Sequence, residues 1–301
     1  MLLHYRSLHD LTSDIAKNIH KVQQQDFDLI VGIPRSGMIP AYTIALYLNV
    51  NVTDVDGLIH NHLLQKGKTR SPKHNIVAPQ DAKRILLVDD SIFTGTSLVE
   101  LVESFEPSLR EKITTCAIYS THKKRDDIDI YFEYVPNPRA FEWNIFHRDI
   151  LRTSAVSVEG VLCTQEDSTV LEGESYTHHL SHTRPNMLPT YTINTLVSNK
   201  SSAYKEELSS WLDKHNIQYN NLVMLDVPAS ESVDHKARLY KENKELTMFF
   251  EYDERDAFEL YKKTKKFVYL VSKRQLIKPN SLEMILHNKV ALKGIRKKRT
   301  R

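Results

Sequence analysis

The sequence predicts two α/β domains, each built on a mainly parallel sheet with helices packed against it. Three observations carry this. Short apolar runs end in glycine- or hydroxyl-rich loops that pass into helix-like segments, as strand–loop–helix units do. This alternation pauses and begins again near residues 148–154. The length, 301 residues, suits two domains of about 100–200 residues each. The domains are expected at 1–150 and 151–286, with a basic tail at 287–301.

Along the chain, Thr12 to Gln24 reads as an amphipathic helix, with Ile15, Ile19 and Val22 on one face and Thr12 or Ser13 as its cap. Asp28–Gly32 is a short buried strand that runs into Ile33-Pro34-Arg35-Ser36-Gly37, and Met38 to Leu48 follows as a helix. Asp56 to Lys73 is polar and basic and reads as a long loop. Arg84–Asp90 is a second buried strand, followed by Ser91-Ile-Phe-Thr-Gly-Thr-Ser97 and a helix from Leu98. Ile113–Tyr119 and Ile130–Val135 are further strands. In the second series, Ala155–Leu162 and Tyr191–Val197 read as strands. Ser202 to His215 is a helix with Leu208, Trp211 and Leu212 on one side. Strands Thr247–Glu251 and Lys266–Val271 flank a helix over Ala257–Lys265. No internal repeat is visible.

Composition narrows the function. Apolar residues are 41% and charged residues 26%, which excludes wholesale disorder. The start lacks an apolar signal core and no run of 18 apolar residues occurs, so a cytoplasmic location is expected. Two cysteines, Cys116 and Cys163, make neither a disulfide framework nor a metal site. The net charge is +3, but residues 287–301 hold seven bases and no acid, so the rest of the chain is at −4. The basic balance therefore belongs to the tail and argues against a nucleic-acid-binding face. Such a tail suits loose attachment to the inner face of an anionic membrane. There are only eight glycines, so each marks a place where positive φ or close approach is needed.

The strongest motif is Val88-Asp89-Asp90-Ser91-Ile92-Phe93-Thr94-Gly95-Thr96-Ser97. Two carboxylates stand at the carboxyl end of a buried strand, where open α/β sheets bind ligands. The turn after them offers backbone N–H groups, a helix N-terminus and the hydroxyls of Ser91, Thr94, Thr96 and Ser97, all suited to a phosphate monoester. Asp89 and Asp90 suit ribose hydroxyls and Mg²⁺.

This segment resembles the 5-phosphoribosyl-1-pyrophosphate (PRPP) signature of the type I phosphoribosyltransferases, a likeness that covers about the first 140 residues. Gly32-Ile-Pro34-Arg35-Ser36-Gly37 resembles that family's pyrophosphate-binding loop, and Lys66-Gly-Lys68-Thr-Arg70 its flexible hood. The resemblance implies displacement of pyrophosphate from the ribose anomeric carbon. Asp89 and Asp90 would hold the ribose hydroxyls and Mg²⁺, while Arg35, Lys66, Lys68 and Arg70 would stabilise the leaving group. Phe93 stands where 6-oxopurine salvage enzymes carry an aspartate base, which argues against such an enzyme. His60 and His62 are alternative bases in the hood.

The stretch Pro138–His147 is densely aromatic and reads as a hydrophobic clasp between domains. It also resembles a segment of phosphoribosyltransferases fused to haloacid-dehalogenase-like (HAD-like) domains, which are associated with bacterial surface-polysaccharide gene sets. Val156-Ser157-Val158-Glu159-Gly160 is similar to the HAD nucleophile motif, with Ser157 and Glu159 in place of its two aspartates. Ser198, Lys236, Glu251 and Asp253 align with its remaining motifs. The resemblance implies a degenerate HAD-like Rossmannoid domain without phosphatase turnover, since a serine lacking an adjacent base is a poor nucleophile.

The expected function is thus PRPP-dependent phosphoribosyl transfer to a hydroxyl of a glycan or glycan precursor. The alternatives are a nucleobase enzyme of orotate-like type and a non-catalytic PRPP sensor. A homodimer is compatible with the reading.

Overall fold

The structure is a computed structural model that describes residues 3–64, 71–164 and 183–278. The chain divides into two compact units, Met1–Trp143 and Asn144–Arg301. The division falls a few residues before the expected one and cuts the aromatic stretch, leaving Arg139, Phe141 and Trp143 in the first unit. The hood residues Lys66, Lys68 and Arg70 and the tail 287–301 lie outside the described residues.

The first unit holds a five-stranded parallel sheet in the order β3 (Asn51–Asp54), β2 (Leu29–Gly32), β4 (Ile85–Ile92), β5 (Ile113–Ser120), β6 (Ile130–Tyr134). Its strands are apolar at successive positions because both faces are covered. Leu86 and Val88 of β4 pack on one side with Leu11, Ile15 and Ile44, whereas Ile85 and Leu87 pack on the other with Leu29 and Leu98. A second, two-stranded parallel sheet joins β1 (His4–Arg6) to β7 (Arg139–Phe141). It brings the start of the chain beside the end of this unit.

The first helix differs from expectation. It is α1 (Leu8–Asn18), capped by Ser7 in a reciprocal box with Asp10, and a short α2 (His20–Gln23) follows. Thr12 lies a turn inside it, its hydroxyl donating back to the carbonyls of Leu8 and His9. The apolar face survives the change, since Ile15 and Val22 are fully buried. The helix α3 (Met38–Leu48) forms as expected, and α5 (Thr96–Ser104) starts two residues before Leu98. The Asp56–Lys73 loop is corrected in part: α4 (Val55–Ile59) opens it, with the Asp54 carboxylate accepting from Gly57 N at 2.7 Å. A glycine on a polar background hides so short a helix. The four-residue edge strand β3 escapes for a similar reason, having only one fully apolar residue. A short α6 (Pro107–Arg110) completes the unit.

The second unit is a six-stranded sheet in the order β10 (Tyr219–Met224), β9 (Ile193–Ser198), β8 (Ser154–Ser157), β11 (Met248–Glu251), β12 (Phe267–Leu270), β13 (Gln275–Ile277). All neighbours are parallel except β12 and β13. The first strand is central and the order reverses beside it, which creates a crevice at the carboxyl ends. Helices α7 (Lys205–Lys214), α8 (Ala229–Glu242) and α9 (Glu254–Thr264) connect the strands.

Two expectations are corrected here. The strand foreseen to Leu162 ends at Ser157, because the chain turns through Gly160 at φ +80°. Neither β10 nor α8 was foreseen. Asn220 and Asn221 interrupt the apolar pattern of the half-exposed edge strand β10, and the inward stripe of α8 carries a buried lysine, Lys236, beside Ala237 and Tyr240. Among the described residues no helix is long and apolar enough to cross a membrane.

The Ser7–Asp10 box satisfies donors at the start of a helix that supplies Leu11 and Ile15 to the core. Ser7→Ala should lower the unfolding free energy by about 1 kcal/mol, measured by urea denaturation.

Candidate functional site

In the first unit, the ends of β2 and β4 bring together two segments more than fifty residues apart in sequence. Gly32 ends β2, and the following Ile33–Gly37 loop includes a cis Pro34–Arg35 peptide. Gly37 is required by close approach: a Cβ there would sit 2.5 Å from the Ile33 carbonyl oxygen and 2.8 Å from that of Val88. The loop therefore lies directly against the strand end that carries Asp89. Ser36 Oγ donates to Asp90 Oδ1 at 2.7 Å. Arg35 is exposed and makes no side-chain hydrogen bond or ion pair among the described residues.

Asp90 is buried and Asp89 half-buried. Asp90 N donates to Asp89 Oδ1 at 2.8 Å. Burial, and after it the charge of Asp90, pushes the Asp89 carboxyl up to about 8. Two adjacent carboxyl groups, which a divalent cation would draw into the ionised form, suit such a cation or a set of hydroxyl donors. Among the described residues no cluster of three or more His, Cys, Asp or Glu side chains is preassembled for a metal.

The turn beyond is open. Ser91 ends inside β4, while Thr94, Thr96 and Ser97 are exposed around the N-terminus of α5, with Thr96 Oγ1 donating to Thr94 Oγ1 at 3.2 Å. Gly95 has φ +89°, and a Cβ there would collide with the Asp127 carboxylate. Arg125 underpins the turn by donating to the Phe93 carbonyl at 2.7 Å, and it is held by Asp127. Sequence reasoning missed this pair, because nothing in a polar loop signals which backbone it supports. The Phe93 ring is 56% exposed at the rim. His60 turns back to the Asp56 carbonyl of its own helix and His62 is exposed, so neither touches the carboxylate pair among the described residues.

The structure adds one residue to the site. Trp143 Nε1 donates to Asp90 Oδ2 at 2.8 Å. The aromatic stretch was visible in the sequence, but its contact across 53 positions was not.

In the second unit, five of the six expected residues gather at the carboxyl ends of β8, β9 and β11. Ser157 Oγ donates to Glu251 Oε2 at 2.7 Å, and Lys236 Nζ donates to the same oxygen at 2.8 Å. Glu251 Oε1 accepts from the amides of Tyr252 and Asp253. Beside this group, Ser198 Oγ and Asn199 N donate to Glu159 at 2.6 and 3.1 Å. The sixth, Asp253, instead caps α9 through Asp256 N. Lys236, aligned with the lysine motif, is paired with Glu251. It is 1% exposed and also faces Asp256 at 3.6 Å. Burial opposes its charge, but the Glu251 carboxylate outweighs burial and holds its pKa above the ordinary value.

Residues 2–151 match the family model for the phosphoribosyl transferase domain. The xanthine-guanine phosphoribosyltransferase of Idiomarina loihiensis is 22% identical over 147 residues, which are 48% of this chain and 84% of that protein. Among solved structures, the Helicobacter pylori xanthine-guanine-hypoxanthine phosphoribosyltransferase is similar with a TM-score of 0.35 and 17% identity, covering 48% of this chain and 95% of its own. A purine phosphoribosyltransferase from Pyrococcus horikoshii gives a TM-score of 0.34 and 21% identity, covering 48% and 94%.

Two predictions follow from the geometry. A carboxyl whose folded pKa is raised contributes stability that is complete below about pH 4 and lost as the pH rises through about 8. Wild type should therefore lose stability relative to Asp89→Asn between about pH 4 and about pH 8, as followed by urea unfolding across that range. Lys236→Met should cost about 3–5 kcal/mol by stranding the buried Glu251 charge, while adding Glu251→Leu should recover part of the loss.

Proposed function

We propose that the type I phosphoribosyltransferase domain forming the N-terminal half of this chain uses PRPP as donor and transfers its 5-phosphoribosyl group with loss of pyrophosphate. The observation that carries this reading is the Asp89–Asp90 pair, set between the Ile33–Gly37 loop and the open Thr94–Ser97 turn. The turn offers helix-terminal amides and three exposed hydroxyls to the 5-phosphate. Asp89 and Asp90 accept from the ribose hydroxyls as the sugar flattens toward an oxocarbenium ion. Arg35, unpaired among the described residues, faces the negative charge that builds on the leaving pyrophosphate. The carboxylate pair fits Mg²⁺, which when bound supplies charge neutralisation for the pyrophosphate.

The acceptor we favour is a nucleobase, a reading supported by the relative named for xanthine and guanine. One observation weighs against an oxopurine among the nucleobases and leaves a second reading, a glycan hydroxyl, open. Phe93 places an exposed ring, and no carboxylate, where an oxopurine enzyme would carry its base. An acceptor handled there loses its proton to another group.

The second unit is read as a degenerate HAD-like domain. Its central first strand, followed by neighbours on one side and then the other, supports this, as does the placement of Ser157, Ser198 and Glu251 at strand ends. Its Lys236 is paired with Glu251. Although Ser157 donates to that carboxylate, both Glu251 oxygens are already engaged by Lys236 and two backbone amides, which weighs against Glu251 as a base for Ser157.

The test is pyrophosphate release from PRPP and Mg²⁺ with oxopurines, orotate and glycan acceptors supplied separately. Asp89→Asn with Asp90→Asn should reduce release by roughly 10²–10⁴ while circular dichroism stays unchanged. Full activity in that variant contradicts the assignment of the site.

A further inference from the structure

Asp90 is gripped at both oxygens. Ser36 Oγ donates to Oδ1 at 2.7 Å and the Trp143 indole N–H donates to Oδ2 at 2.8 Å. An indole N–H is a donor only, so this contact needs an acceptor and fixes the direction of the carboxylate. Trp143 is itself held in place. Its ring stacks on Phe141 at 4.7 Å and 7°, and Phe141 stacks on the fully buried Tyr119 at 5.4 Å. Tyr119 is anchored in turn by its hydroxyl, which donates to Asp14 of α1 at 3.0 Å.

On the reading that this domain uses PRPP, we propose that Trp143 is a positioning residue for phosphoribosyl transfer: its indole N–H holds Asp90 in the orientation that meets the ribose. Ser36 ties the same carboxylate to the pyrophosphate-side loop, so the ribose side and the leaving-group side of the site share one fixed group. The remaining lone pairs of Asp90 stay directed toward the ligand. Trp143 touches neither substrate nor metal in this scheme and acts only through Asp90.

The variant Trp143→Phe keeps a ring to stack on Phe141 and removes the N–H. The KM for PRPP should rise about tenfold, with the acceptor KM unchanged. A merely structural role would lower the active fraction, and so kcat, without moving the KM for PRPP. In an Asp90→Ala background the same substitution should add less than about twofold, because the two changes remove one interaction. An unchanged KM for PRPP in Trp143→Phe, or full additivity with Asp90→Ala, overturns the proposal. If Trp143→Phe does not fold, the indole N–H resonances of ¹⁵N-labelled protein decide. With only two tryptophans in the chain, one resonance should move on Asp90→Asn substitution, and two unmoved resonances overturn the proposal. Wild type that neither binds nor turns over PRPP would instead defeat the functional reading, a result distinct from both.

Discussion

Two carboxylates placed side by side at the end of a buried strand repel each other, and their burial removes the water that would screen them. Asp89 and Asp90 are in this position, and much of the first unit is arranged around it. Asp89 responds by a raised pKa, while Asp90 is satisfied by donors from both sides. The sheet supplies the placement: β4 is third of five strands, with β2 on one side and β5 on the other. The loop after β2 reaches the end of β4 because Gly37 has no side chain to keep it away. The small β1–β7 sheet holds the segment that ends in Trp143, and Glu142 accepts from Leu8 N at 2.8 Å at the start of α1.

The second unit solves a similar problem differently. Its buried carboxylate, Glu251, is compensated within the protein by Lys236, Ser157 and two backbone amides. In the first unit the strand-end pair is relieved by the raised pKa of Asp89, whereas in the second Glu251 is compensated by a buried lysine. This contrast, more than any motif, separates a site poised for a charged ligand from one that has become part of a core. The cost of burying an ion pair is repaid only by such complete hydrogen bonding.

The sequence made the strand–loop–helix units legible where apolar runs were continuous, as in Leu29–Gly32 and Ile85–Val88, because burial on both faces leaves no polar interruption. It failed at β10, where an edge position admits Asn220 and Asn221, and at α8, where Lys236 occupies the buried stripe. Both failures come from polar residues whose partners are distant in sequence. The site followed the same rule. Asp89, Asp90, Ser36 and the Thr94–Ser97 turn lie in local motifs and could be read directly. Trp143 and the Arg125–Asp127 pair act across loops, and nothing local announces what they touch.

The central claim is that the Asp89–Asp90 corner is the PRPP site and that Trp143 adjoins it. The most direct measurement is the tryptophan fluorescence of a Trp211→Phe protein, in which Trp143 is the sole indole, titrated with PRPP in the presence of Mg²⁺. The account predicts a saturable change that pyrophosphate reverses and that Asp89→Asn with Asp90→Asn abolishes. A flat titration alongside calorimetric evidence of PRPP binding would contradict it, since the ligand would then occupy a place that leaves the Asp90–Trp143 contact undisturbed.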